Sequence, residues 1–279
     1  MNVYLLFILG TLIGSFLGVV ADRYQPDRWI LANTIYGRSR CETCERRLGF
    51  LELIPLLSFI IWSGRCRFCR TKLSWRYPTY ELIAGIVVAG VYFATIYQGV
   101  VMAILWTIVF LILFLLALID YRTTLIPNEL SLSIFILGIV ITFLSQDSFG
   151  IVGGSFLGEY GALFGFRETL FVNRLAGIFT PSLLFVFLMI ITGGRGMGFG
   201  DVKLIGALGV LFGWPDTIVI AGLSFVVGSL AVLPSLLRGR KGRKDTVPFG
   251  PFLVIASFLI FFWGEQILEF YFGLFPVIV

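Results

Sequence analysis

The sequence predicts an all-α polytopic membrane protein with about eight transmembrane helices and one small polar loop domain. Composition is the first reason: 58% of the 279 residues are hydrophobic and 13% charged, with a mean hydropathy of +0.97, outside the balance of a soluble domain. Run length is the second. Apolar stretches of about 20 residues recur, enough to cross a hydrocarbon core of roughly 30 Å as helices, and they lack the alternation of membrane-barrel strands. The placement of the basic residues is the third, and it fixes orientation.

The first span is expected near residues 2–20. MNVYLLFILGTLIGSFLGVVA has no Lys or Arg and no convincing small-residue cleavage site, so it reads as a retained helix rather than a signal peptide. Further spans are expected near 79–97, 100–120, 126–144, 172–192, 201–214, 217–237 and 248–271, the sixth being short and glycine-containing. Of the 21 basic residues, 11 lie in 21–78, Arg122 follows the third span, Arg195 and Lys203 flank the start of the sixth, and five lie in 238–244. With the first span running from outside to inside, all of these fall on the cytoplasmic side. Only Arg167 and Arg174 are left for the outer side, in or beside the loop at 145–171, and both termini are placed outside. Orientation and contact with anionic lipid headgroups explain the basic loops, and no nucleic-acid partner is expected.

Three parts follow: a first transmembrane helix at 1–20, a cytoplasmic four-cysteine domain at 21–78, and a membrane-embedded domain at 79–279. The middle block is too small to build much of a core and needs a metal or disulfides. All four cysteines lie in it, as Cys41-Glu-Thr-Cys44 and Cys66-Arg-Phe-Cys69, two CxxC knuckles separated by 21 residues. This spacing suits one tetrahedral zinc ion. Two disulfides are the alternative, and a reducing cytoplasmic location argues against them. Four cysteine ligands leave no open position, so the zinc is expected to be structural.

The chain has no histidine, which removes Ser-His and Cys-His nucleophile pairs and His-ligated metals. Acid–base chemistry must come from Asp, Glu, Lys, Tyr or Cys. Three carboxylates stand in or beside apolar helices: Glu81, Asp120 in LALIDYRTTLIPNEL, and Asp201 in GMGFGDVKL. A charge at the bilayer centre costs about 2.5–3.5 kcal/mol on insertion scales, so such residues tend to have a task. The plainer reading pairs Asp120 with Arg122 and Asp201 with Lys203. In the eight-span topology Asp120 and Asp201 both lie at the cytoplasmic membrane edge. Two adjacent carboxyl groups share one proton, and one then activates water while the other polarises a carbonyl. Gly198 and Gly200 before Asp201 let backbone approach a substrate and open the helix to water.

Four blocks then resemble a known family: GSFLGVVADRY at 14–24, RSRCETCERRL through GRCRFCRTKLSWRYPTYE at 38–81, LIDYRTTLIPN at 118–128, and GMGFGDVKL with VPFGPFL at 196–204 and 247–253. In order and spacing the chain resembles the bacterial type IV prepilin peptidases, GxGD aspartyl proteases that are both leader peptidase and N-methyltransferase. The resemblance implies that Asp120 and Asp201 are the catalytic pair and that Cys41, Cys44, Cys66 and Cys69 are the paired CxxC motifs. It implies cleavage of a basic leader after glycine in a type IV prepilin or pseudopilin precursor, at the cytoplasmic face of the bacterial inner membrane. Methylation of the new N-terminal amine with S-adenosylmethionine is implied as well. Three positions depart from the family pattern: Gly18 and Leu53 stand where Asn is common, and Asn128 where IPD has Asp.

A methyl-donor site is expected where the polar loop meets the membrane, with Glu81 either holding the substrate amine or bridging to Arg76. Lys203 either supports the dyad or snorkels to the interface. Rival readings are a presenilin-like GxGD intramembrane protease, which gives no reason for the CxxC loop; a transporter, which predicts inverted repeats and acids at mid-bilayer; and a non-enzymatic membrane scaffold.

Overall fold

A computed structural model describes residues 2–26, 29–30, 39–41, 43–144, 155–164, 170–194, 196–238 and 247–274. Arg167, Arg195, most of the basic run at 238–244 and most of the loop at 145–171, expected on the outer side, lie outside the described residues. The described chain is helical: α1 (Val3–Arg23), α2 (Leu57–Ile61), α3 (Arg76–Thr95), α4 (Val100–Thr123), α5 (Asn128–Leu144), α6 (Glu159–Phe164), α7 (Leu170–Ile191), α8 (Phe199–Phe212), α9 (Asp216–Leu237) and α10 (Gly250–Gly273). Among these residues extended pairing is limited to two isolated bridges, Arg40 with Arg47 and Arg65 with Lys72.

Each of the eight expected ranges holds a helix, but the eight are not equivalent. Six of them, α1, α3, α4, α7, α9 and α10, are long and apolar enough to cross a membrane. Helix α5 has 17 residues and α8 only 14. The sequence accounts for both. Pro127 disfavours helix at Ile126 and sets the start of α5 at Asn128, and Gly213, at φ +75°, ends α8.

Two compact units make up the fold, Met1–Ile119 and Asp120–Val279. In the first, α1 packs along α3 at close range. A Cβ at Gly10 would lie 2.7 Å from the Ala84 carbonyl oxygen, and one at Gly14 would lie 2.6 Å from the Ala84 Cβ. Small residues four apart are what lets membrane helices approach this closely. Leu6, Val88, Ala89, Tyr92 and Ala103 form the buried cluster beside this seam. The polar block has almost no core of its own: between Ser39 and Trp75 the only buried residues described are Cys41, Pro55 and Cys66.

In the second unit α8 is the central helix, with Leu204, Ile205, Leu208, Leu211 and Phe212 almost fully buried. Helices α7 and α5 pack on it. Its C-terminal end is closed by polar contacts: the Arg174 guanidinium donates to the Leu211 carbonyl at 2.8 Å, and the Asp216 carboxylate accepts from the Phe156 N–H at 2.7 Å. Its N-terminal end carries Asp201.

Candidate active site and metal centre

Asp120 lies near the end of α4 and is 3% exposed. Its Oδ2 accepts a hydrogen bond from the Gly250 N–H at 2.8 Å. Gly250 opens α10, followed by Pro251 in the first turn, where a missing N–H is harmless. A Cβ at residue 250 would stand 2.7 Å from that same carboxylate oxygen, so only glycine lets the backbone donor come this near.

Asp201 is the third residue of α8 and is 8% exposed. Its Oδ2 reaches back to accept from the Gly198 N–H at 3.0 Å, which satisfies a backbone donor at the helix start. The positive end of the helix dipole also favours a carboxylate there. Both aspartates line one cleft of about 790 Å3. Gly198 and Gly200 line it as well, and so does Lys203.

The partners differ from the simplest pairing. The Lys203 ammonium donates to the Asn128 side-chain oxygen at 2.9 Å and stands 4.8 Å over the Phe199 ring, while Asp201 is held by backbone. Asn128 therefore has a role that its sequence context, as a departure from IPD, did not reveal. Gly250 was equally unreadable: VPFGPFL was visible as a block, but a backbone N–H aimed at Asp120 leaves no mark on composition. An aromatic wall was missed too. Phe225, Phe249 and Phe252 line the cleft, with the Phe249 ring 5.0 Å from Phe225 and 6.4 Å from Phe252.

In the first unit the four cysteines converge, their sulfurs all within 4.8 Å of one another, and they can hold a metal ion. None is in a disulfide, and Cys41 Sγ lies 3.7 Å from Cys69 Sγ. The two knuckles are built alike. The Cys41 N–H donates to Arg46 at 3.0 Å and the Cys66 N–H to Thr71 at 2.9 Å; the Glu45 N–H donates back to Cys41 and the Arg70 N–H back to Cys66. Glu45 and Arg70, each just after the second cysteine, take positive φ of 53° and 59°. The Arg46 guanidinium packs 3.5 Å from the Phe68 ring centroid, tying one knuckle to the other. Backbone N–H groups of Cys44 and Thr43 hold the Cys41 thiol below its ordinary value, and hydrogen bonding from Thr71 draws Cys69 down to about 6. The Arg46 N–H is outweighed by burial and the neighbouring thiols, which push Cys44 the other way, to about 11, so Cys41 and Cys69 are the two drawn toward the thiolate that binds metal.

Glu81, in the second turn of α3, is 8% exposed. Its Oε2 accepts from the Leu56 N–H at 2.8 Å, and the Ser15 hydroxyl also bonds to the carboxylate. It lines a second cavity, of about 340 Å3, together with residues of α1 and of both knuckles.

Paired acids in a cleft among apolar helices, with a four-thiol centre in the polar block, define a polytopic membrane protein with one built acidic site and one built metal site. The bacterial peptidase A24 N-terminal domain matches residues 8–95, and the type IV leader peptidase family matches residues 107–233. Relatives named prepilin leader peptidase/N-methyltransferase match nearly end to end: one from Aeromonas salmonicida (strain A449) is 31% identical over 96% of this chain and 92% of its own. Another from Stutzerimonas stutzeri is 32% identical over 93% and 90%, and one from Pseudomonas aeruginosa is 30% identical over 95% and 91%. The chain belongs to the type IV leader peptidase family. No solved structure matches it.

Proposed function

We propose that this protein is a membrane aspartyl endopeptidase that removes the basic leader of type IV prepilin or pseudopilin precursors after glycine, and that it then N-methylates the new terminal residue with S-adenosylmethionine. The observation that carries the peptidase is the meeting of Asp120 and Asp201 in one cleft. The names of the relatives support the substrate and both activities.

The two carboxyl groups share one proton. The ionised member takes a proton from water as that water attacks the scissile carbonyl, and the protonated member hydrogen-bonds the carbonyl oxygen. The departing amine then receives a proton from the dyad. The N–H groups of Gly250 and Gly198 fix one oxygen of each aspartate and leave the other for substrate and water. Gly198 and Gly200 keep the wall beside Asp201 low enough for an extended backbone. Lys203 stands at the rim of the cleft, tied to Asn128 and not to the dyad.

The chemistry is assigned to the cytoplasmic face of the bacterial inner membrane, with the cysteine loop on the same side. The distribution of basic residues supports this. So does Arg174, which is spent as a buried donor at the end of α8 opposite Asp201 and is no counter-signal.

The metal is zinc. A tetrahedron with Zn–S of about 2.3 Å has sulfurs about 3.8 Å apart, against 3.7 Å between Cys41 and Cys69. Its task is to fold the polar block, since four thiolates close the shell.

For methylation, S-adenosylmethionine supplies, when bound, a methyl group on a sulfonium sulfur. Glu81 holds the substrate's terminal amine and accepts the proton it sheds as the N–C bond forms and the C–S bond breaks with its electron pair left on sulfur.

The test is to incubate the purified protein with a prepilin and a labelled methyl donor and to follow leader loss and amine methylation separately. Both are expected. Cleavage that survives in Asp201→Asn sinks the dyad, and zinc far below one per chain in a reduced, unchelated sample overturns the metal.

A further inference from the structure

The second cavity contains a group that the proposed chemistry leaves unused. It lies in the first unit, and Ser15, Arg40, Glu52, Trp62, Tyr77 and Glu81 are among its lining residues. Its volume of about 340 Å3 falls in the range of small-molecule pockets, roughly 300–1,000 Å3.

Glu52 ends a single helical turn at Phe50–Glu52. Its Oε2 accepts from the Gly49 N–H at 2.7 Å, while its Oε1 is buried with no hydrogen-bond partner. A buried carboxylate oxygen without a donor is costly, and a cationic ligand would supply the donor. The neighbouring turn is strained in the same direction. Leu56 has φ 58° and ψ −50°, closed by a Leu57 N–H to Pro55 carbonyl bond of 2.6 Å, a γ-turn that non-glycine residues rarely adopt. That turn presents the Leu56 N–H to Glu81 and holds the segment bearing Glu52 against the start of α3.

The cavity thus offers two carboxylates of different origin. Glu81 and its partner Ser15 stand on membrane-spanning helices, on the route of an amine attached to an apolar segment. Glu52 belongs to the polar block, on the route of a water-soluble ligand. We infer, resting on the methyltransferase reading above, that this cavity is the methyl donor's site: Glu52 Oε1 accepts the α-ammonium of S-adenosylmethionine, Arg40 meets its α-carboxylate, and Glu81 faces the amine to be methylated.

The test measures binding rather than turnover. The full-length purified protein is titrated calorimetrically with S-adenosylhomocysteine and with 5′-methylthioadenosine, which lacks the ammonium and carboxylate. The wild type is expected to prefer S-adenosylhomocysteine by about tenfold or more, the value of a charged hydrogen bond. Glu52→Gln is expected to lose that preference while still binding 5′-methylthioadenosine, which shows that the pocket is intact. Wild-type preference retained in Glu52→Gln, or no binding of either compound to the wild type, overturns the assignment. Failure of the wild type to methylate a cleaved pilin peptide sinks the methyltransferase reading itself, whereas methylation with an unchanged preference in Glu52→Gln overturns only the site.

Discussion

Gly250 shows how a residue with no side chain sets the position of one that has chemistry. Its N–H fixes Asp120, and a methyl group in place of its hydrogen would press on the carboxylate. Gly250→Ala is therefore expected to lower kcat/KM for leader cleavage by about 100-fold, the typical effect of a misplacement near 1 Å, with the helical circular dichroism unchanged. Lys203→Met is expected to stay within about tenfold of wild type in the same assay, because its hydrogen bond goes to Asn128 and not to the dyad. The aspartates themselves were legible as charges stranded in apolar sequence. Their supports were not. A backbone donor 130 residues away, or a strained turn at Leu56 built without glycine, has no local signature to read.

Helices were legible by hydropathy, and their ends by punctuation such as Pro127 and Gly213; the shortness of α8 was already legible in the range 201–214, and the structure moves its bounds to Phe199–Phe212. The knuckles were legible because CxxC spacing is dictated by metal geometry. Their mutual packing through Arg46 and Phe68 was not. With Cys41 and Cys66 nearly alone as buried residues between Ser39 and Trp75, the four-thiol centre stands where that block would have a core. Cys66→Ser is expected to abolish zinc binding and to make residues 39–75 sensitive to limited proteolysis, while α7–α10 keep their hydrogen-exchange protection. At the α1–α3 seam, Gly14→Val would drive a side chain into Ala84 and the Tyr80 carbonyl. It shifts Ser15 away from Glu81, and amine methylation is expected to fall tenfold or more relative to leader cleavage.

Across the whole molecule the two sites fall in different compact units: the acidic cleft is lined from residue 120 onward, and the second cavity by residues up to 81. Loss of one chemistry should spare the other's ligand. Asp201→Asn is expected to bind S-adenosylhomocysteine with wild-type affinity and to methylate a pilin peptide supplied already cleaved, as read by mass spectrometry of the peptide amine. The eight-helix pattern and the acid pair could be traced along the sequence, but the division at Ile119 could not, because it cuts through the continuous apolar helix α4. The shortness of α8 has a consequence for the substrate. Its 14 residues rise about 21 Å, some 9 Å less than a hydrocarbon core of roughly 30 Å. A helix of that length cannot have one end at each surface, so with its far end at the opposite surface Asp201 would stand below the membrane edge. A precursor helix lying level with the headgroups would then not lower its scissile bond that far while coiled. About three residues must uncoil, since extended chain advances roughly 3.3 Å per residue, and a glycine at the cut is the residue that gives up helix most readily.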